Sequence, residues 1–521
     1  MTKLINRTVD IVFLGMLAMI VFAMAFTITG TVLNGVAAYI AGAILLVCVL
    51  FFVIRGRQRI TDVGRRIKKR LAPIPAWKMA LFLGLFSAVT KVILVFVFDN
   101  NADLDTDMAM YRSFAQQFAE YGKIVEGTEY AYKHTYTAFF GLLLSPFAKL
   151  FGADTKVFTV ALSVLHSVAL VLMFDMLKQY VKKELAFVVL FLYSVLPMGL
   201  LQTQVLMHEN GLFFLHILSL WLFMRAFRKN THWVWQLLLV FAAGIVLAAG
   251  KSVNAAGRVF FISFGIFAVA KCFSQKVDCK RLLALLSTVG ILIACFYVGN
   301  GFLSSLRQNV RESSNKIQGV SYSYPYGWDL YVGMNYESGG IWTKEDKEVY
   351  YQYMMCDSRE EAIEYQKGLL SQRAQMYKDD PIKIPIQLFR KFQKLWGSQR
   401  LPFAYDQGNA INSFVLHGMG GMINKSLTLM NNFIFLLLYG VLFVAQWKKC
   451  RKKDNEVGID LHFRMGIIGI TLALLVFEVA LKHVSHLHIC LFATLACYLK
   501  YYLDDGKGNA SENGGMVDAA E

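Results

Sequence analysis

Acids stand where two apolar runs end. Asp99, Asp103, Asp105 and Asp107 follow directly on the run 79–98, and Glu209 follows on the run 185–207. A carboxylate at the edge of a bilayer is costly to hold and marks function by default. Asp107 opens a segment in which Tyr111, Phe114, Phe118 and Tyr121 recur at helical spacing, and Gly122 can end it. Asp105 or Thr106 can cap that helix. A carboxylate in a first helical turn stays ionised against the macrodipole. Held beside the end of a span, Asp107 has what a general base needs. Simple capping is the plainer reading, and it weighs most for Asp103 and Asp105. Glu209, between His208 and Asn210, is either a cap between two spans or a second acid facing the same cavity. Two acids can divide the work: one takes a proton from a hydroxyl, and the other orients it or helps hold a divalent cation such as Mg or Mn. Spacing alone leaves the metal undecided.

Cations stand on the same side. Lys251 and Arg258 flank the turn 252–257 and suit a phosphate whose lipid tail lies in the bilayer. Interfacial snorkelling is the alternative. Lys482, His483, Ser485, His486 and His488 cluster between the last two apolar runs. Phosphate or sugar hydrogen bonding fits them better than zinc, since no cysteine accompanies them; a wet interfacial turn is the other reading.

These groups need helices to position them. With 56% hydrophobic and 17% charged residues, the chain is not a soluble globular protein. Twelve spans are expected, at 11–31, 36–54, 79–98, 156–177, 185–207, 212–227, 233–250, 259–272, 282–299, 426–446, 465–481 and 486–502. The apolar segment 135–151 is interrupted by Pro146 and reads as interfacial or re-entrant. Basic connectors lie at 55–78, 178–183, 225–229, 271–281 and 448–453. Twelve spans put all five on one side, the cytoplasmic one, with both termini. A crossing by 135–151 would send every later basic connector outside. The acids are then extracytoplasmic, in a plasma membrane. The net charge of +17 reads as topology and contact with anionic headgroups, not nucleic-acid binding. The first run has no small-residue cleavage site and reads as an uncleaved anchor. Of the eight cysteines only Cys356 is external, so no disulfide framework is implied.

The chain divides into a two-span hairpin with a basic loop (1–70), a membrane module (71–299) with a long external loop (99–153), an external domain (300–425), C-terminal spans (426–503) and a disordered acidic tail (504–521). Within the external domain 345–370 and 372–377 suggest helix. Asp380-Pro381 is a turn, and 383–396 is an amphipathic helix with Ile384, Leu388, Phe392, Leu395 and Trp396 on one face. Such a helix can lie on a membrane surface.

Several stretches carry a resemblance. Thr106-Asp107-x-x-x-Tyr111-x-x-x-Ala115 is similar to the Asp-x3-Tyr-x3-Ala pattern of the GT-C superfamily of polytopic glycosyltransferases, the protein mannosyltransferase-like and aminoarabinose transferase-like enzymes. Tyr132-Lys133-His134-Thr135-Tyr136 and the apolar stretch ending Leu150-Phe151-Gly152 resemble the segment before that family's second core span. Met207-His208-Glu209-Asn210 resembles its second acid. Gly333-Met334-Asn335-Tyr336-Glu337-Ser338-Gly339-Gly340-Ile341-Trp342, with Asp346, resembles an external stretch of some bacterial members. The resemblance covers 79–502. Two departures matter: His-rich 482–488 replaces the usual Arg-Tyr, and the first acid is one of three alternating aspartates.

The resemblance implies an all-α polytopic fold of GT-C type and an inverting sugar transfer from a polyprenyl-phosphate donor to a hydroxyl of a cell-envelope acceptor: polysaccharide, teichoic acid, lipid or protein. Asp107 is the implied base, with Asp105 and Glu209 beside it. Asp103, Tyr111, His134, Tyr136, His208, Lys251, Arg258, Asn335, His483 and His486 are the implied substrate contacts. Two other classes remain open. A transporter or flippase would place charges mid-span and show internal symmetry. A polysaccharide polymerase or ligase of the O-antigen type would rely on external Arg and His.

Overall fold

The computed structural model describes residues 2–30, 33, 35–97, 107–127, 130–131, 135–226, 232–274, 289–290, 292–294, 296–298, 301, 328–354, 356, 358–397, 420–452, 458–479 and 482–503. Among them every regular element is helical. A hairpin of α1 (Thr2–Gly30) and α2 (Gly35–Arg55) leads into α3 (Arg57–Leu71) and α4 (Ala76–Val97). Then come α5 (Asp107–Tyr121), α6 (Thr135–Phe151), α7 (Thr155–Leu177), α8 (Lys183–Val195) and α9 (Pro197–Leu201), which runs into a 3-10 turn, Gln202–Gln204. α10 (His208–Ala226), α11 (Trp233–Val253) and α12 (Gly257–Ser274) complete the first half. The outer segment holds α13 (Trp328–Gly333), α14 (Lys344–Met354), α15 (Arg359–Asp379) and α16 (Lys383–Trp396). The chain returns through α17 (Gly420–Lys452), α18 (Asp460–Val476), α19 (Lys482–Ser485) and α20 (His488–Leu503).

Among the described residues α1, α2, α4, α7, α11 and α17 are long and apolar enough to cross a membrane, and the pair Lys183–Val195 with Pro197–Gln204 makes a seventh if counted as one span. The described residues thus form an all-helical structure, with several helices compatible with a multi-pass membrane protein. The expected spans at 212–227, 259–272, 465–481 and 486–502 fold as α10, α12, α18 and α20, which are shorter or less apolar. Most of 282–299 and all of the tail 504–521 lie outside the described residues.

One span departs from expectation. The run 185–207 is not a single straight helix; it bends by 69° between α8 and α9. Pro197 is the cause. It cannot donate to the preceding turn, and it pushes Leu196 into an extended conformation, ψ 147°. Gly199 permits the bend, because a Cβ there would lie 1.9 Å from the carbonyl oxygen of Tyr193. Pro146 has the opposite outcome. α6 runs straight through it. The carbonyl that Pro146 leaves without an N–H donor, that of Leu142, accepts from the Ser145 hydroxyl at 2.7 Å.

Three of the basic connectors, 55–78, 178–183 and 448–453, gather at one end of the bundle. Arg57 donates to the carbonyl of Leu503 at 3.0 Å, Lys183 to that of Ile74 at 2.9 Å, and Lys448 to that of Tyr502 at 3.2 Å. The 55–78 stretch, expected as a loop, contains the helix α3, none of whose residues is buried. At this end α1 is locked into the C-terminal helices. Buried Asp10 accepts from Lys449 at 2.8 Å and from Arg464, which also reaches Asp460 at 2.9 Å and Asn6 at 3.0 Å. The N-terminal hairpin is therefore built into the bundle.

At the other end α16 starts in solvent and finishes in the core. Of its expected apolar face, Ile384 and Leu388 are exposed, while Phe392, Leu395 and Trp396 are buried. The Trp396 indole donates to Thr471 Oγ1 of α18 at 3.2 Å. This wedge holds the outer segment on the bundle.

Candidate functional site

The site forms where α5, α6, α10 and the turn between α11 and α12 meet. α5 begins at Asp107, and Gly122, at φ 69°, ends it. Its buried face is Tyr111, Phe114, Ala115 and Gln117; Tyr121, expected on that face, is exposed at the helix end. α6 crosses α5 closely. A Cβ on Gly141 would lie 2.6 Å from the Cβ of Phe114, so glycine is what allows this approach. The crossing sets Phe140 edge-on to Tyr111, with ring centroids 5.1 Å apart.

His208 is the hub. Its Nδ1 lies 2.8 Å from the Tyr111 hydroxyl and 3.4 Å from Glu209 Oε2. Its Nε2 lies 2.9 Å from Nδ2 of Asn254. The amide of Asn254 is oriented by its own turn, since Oδ1 accepts from the backbone N–H of Ala256 at 2.8 Å. Nδ2 therefore faces the ring as a donor, and Nε2 accepts. The imidazole proton belongs on Nδ1, where it points at Tyr111 and Glu209. The ring of Tyr136 lies 4.9 Å from that of His208. Glu209 is 1% exposed.

Asp107 stands in the same field. The hydroxyl of Tyr130 donates to its Oδ1. The Tyr111 phenol is pushed well up, first by burial, then by Tyr136, Asp107 and Glu209. Burial and then Asp107 push the phenol of Tyr130 up as well. These phenols stay protonated; Tyr130 donates to Asp107, and Tyr111 accepts from His208. Tyr350 and Asp329 of the outer segment add a smaller charge effect on Tyr130 and Tyr136.

The structure thus brings together Asp107, Tyr111, Tyr136, His208 and Glu209. Asp103, Asp105 and His134 lie outside the described residues, as does the His483 side chain. Lys251 lies in the last turn of α11, three residues before Asn254, with Nζ 5.7 Å from the ring centre of Phe296. Arg258 is exposed on α12. Asn335 is engaged in the outer segment. Its amide donates to both oxygens of Asp346, at 3.3 and 3.2 Å, and its Oδ1 accepts from the N–H of Ser338. Arg373 pairs with Asp346 at 2.8 Å. The 333–346 stretch is thus a knot around one buried carboxylate. His486 is buried against the ring of Phe260, 5.8 Å away, beside the pair His216 and His462, whose Nε2 atoms are 2.7 Å apart.

Tyr130 joins the site without a sequence signal of its own, and Asn254 had only a hint, its place in a turn between two candidate cations. Among the described residues no group of three or more His, Cys, Asp or Glu is placed to hold a metal ion. No protein-family model, no curated protein and no solved structure matches this chain. The arrangement gathers two carboxylates, a histidine of defined tautomer and several buried phenols at helix ends.

Proposed function

We propose that this chain is a membrane glycosyltransferase of GT-C type, with twelve spans and its acids on the extracytoplasmic face. It moves a sugar from a polyprenyl-phosphate donor to a hydroxyl of a cell-envelope glycan, teichoic acid, lipid or protein. The observation that carries this reading is the convergence of Asp107 and Glu209 on the Tyr111–His208 pair, at the end of the bundle away from its basic connectors. The positive-inside rule gives the orientation.

In the transfer Asp107 takes the proton of the acceptor hydroxyl, whose oxygen attacks the anomeric carbon from the face opposite the phosphate. The sugar–phosphate bond breaks, and the electron pair leaves with the polyprenyl phosphate. That group departs as an anion, so it needs a nearby cation rather than a general acid. Lys251, at the turn beside His208, fits that need better than the exposed Arg258. Glu209, through His208 and Tyr111, orients the acceptor. Asp329 and Tyr350 of the outer segment border the acceptor side.

Transfer from a radiolabelled polyprenyl-phosphate sugar, in membranes holding wild type or Asp107→Asn, tests this. The reading stands if wild type transfers label and the variant, equally abundant and folded, loses it by about 100-fold or more. It fails if wild type consumes no donor from a broad panel.

One observation favours a transporter instead. α8 and α9 form a broken helix, and Lys91, His166, His216 and His462 are buried ionisable groups in the bundle. Discontinuous helices and charges at depth are transporter features. Uptake or extrusion with no label transferred would move this reading ahead.

A further inference from the structure

Against the broken helix packs a cluster of buried polar groups that the acid site does not use. Lys91, on α4, is completely buried, about 9 Å along the helix from its end at Val97. Its amine donates to Ser87 Oγ at 2.5 Å. Among the described residues that is its sole bond, and no carboxylate lies within ion-pair distance of it.

The surroundings are hydroxyls, amides and a histidine. Ser87 and Ser167 are 2.9 Å apart, Ser163 and Thr203 are 2.8 Å apart, and Gln204 ties the 3-10 turn to α4 by donating to the Lys91 carbonyl at 3.0 Å. Tyr193 donates to Gln202 Oε1 at 2.9 Å and lies 3.5 Å from His166 Nε2. Nε2 of Gln202 and Nδ1 of His166 are fully enclosed and have no hydrogen-bond partner among the described residues. His166 lies within the field of Lys91.

An amine with one of its hydrogen-bonding positions used, an amide with both donors unused and no acid in reach among the described residues make a cluster short of negative charge. Buried charge in a bilayer is paired, and irregular backbone at that depth is tolerated where it lines an occupied or wet cavity. A metal cation is disfavoured by Lys91. A lipid phosphate needs a path for its tail, and every group here is sealed from the surface. We propose that this cluster binds a small inorganic anion of halide size, held by Lys91, Ser87 and the Gln202 amide. The anion completes the break between α8 and α9. Asn210, two residues past His208, donates to the carbonyls of Gln202 at 3.0 Å and Val205 at 3.2 Å, so the anion also braces the start of α10.

The test uses the purified full chain in lipid nanodiscs, exchanged into gluconate and titrated with chloride or bromide at constant ionic strength. Unfolding is followed by tryptophan fluorescence. The expected result is a saturable rise of several degrees in Tm with either halide. Lys91→Met should abolish the saturable part. If Lys91→Met does not fold, Gln202→Leu should move the midpoint to about tenfold higher halide. A Tm that does not change when gluconate is replaced by halide, or a saturable response that survives in both variants, overturns the proposal and leaves the cluster to water and a neutral amine. The readout is binding, so failure of the sugar-transfer reading does not decide it.

Discussion

Tyr111 and His208 lie 97 positions apart in the chain and share a 2.8 Å hydrogen bond in a buried setting. The bond joins the first turns of α5 and α10, and with them the two acids. Because Asn254 holds the other ring nitrogen, the imidazole can neither rotate nor exchange tautomers without losing a partner.

Removing Tyr111's hydroxyl leaves the His208 proton with Glu209 alone. Tyr111→Phe is expected to cost about 1–2 kcal/mol of stability. Under the proposed reaction it should lower transfer about 10–100-fold. Asn254→Leu should act in the same direction and add little to Tyr111→Phe, since both act through one ring. Transfer rates of the two single variants and the double variant check this; full additivity would count against the shared hub.

Gly141 sets how near α6 comes to α5. Gly141→Val puts methyl groups where the Phe114 Cβ already stands, 2.6 Å from the added Cβ. α5 must then shift, carrying Asp107 away from Tyr130. A loss of transfer of at least tenfold is expected with the protein still inserted, and cysteine cross-linking between α5 and α6 would record the displacement.

At the basic end, Asp10 is a buried anion shared by Lys449 and Arg464. Asp10→Asn leaves two buried cations with only Asp460 between them. A loss of about 3–5 kcal/mol is expected. Deleting the first hairpin should disorder α17 and α18 as well, which limited proteolysis would show. A stable protein lacking 1–70 would contradict this packing.

Lys391, on α16, is enclosed and donates to the carbonyls of Gly333 at 3.1 Å and Phe477 at 2.7 Å. Burial lowers its amine from 10.5 to about 8. The folded protein therefore sheds this proton before the unfolded chain does. Between about pH 8 and 10.5 the unfolded state binds more protons, so stability rises with pH across that window. The full effect is on the order of 3 kcal/mol for this displacement. Lys391→Met should flatten that rise. Chemical unfolding of both proteins at pH 7.5, 9 and 10.5 checks the slope.

The sequence by itself determined what depends on neighbours in the chain. Hydropathy runs and Lys/Arg spacing mark the helices because bilayer thickness and backbone satisfaction constrain each segment alone. The helical repeat at 383–396 and the acid opening α5 were legible for the same reason. Pro146 and Pro197 were not. The same residue breaks one helix and not the other because a serine hydroxyl, in one case, covers the carbonyl left open.

Tertiary structure alone decided the partners. Nothing near Tyr111 in the chain points to His208, and nothing near Lys91 announces that it is sealed among hydroxyls with no counter-charge among the described residues. Apolar periodicity says which side of a helix is buried, but not which helix it is buried against. Tyr121 and Ile384 show the limit: both keep the apolar period and both end in solvent, because their helices extend past the neighbours that cover the rest. Distant side chains meet only once glycines such as Gly141 let two helices close on each other, and that depends on the whole packed bundle.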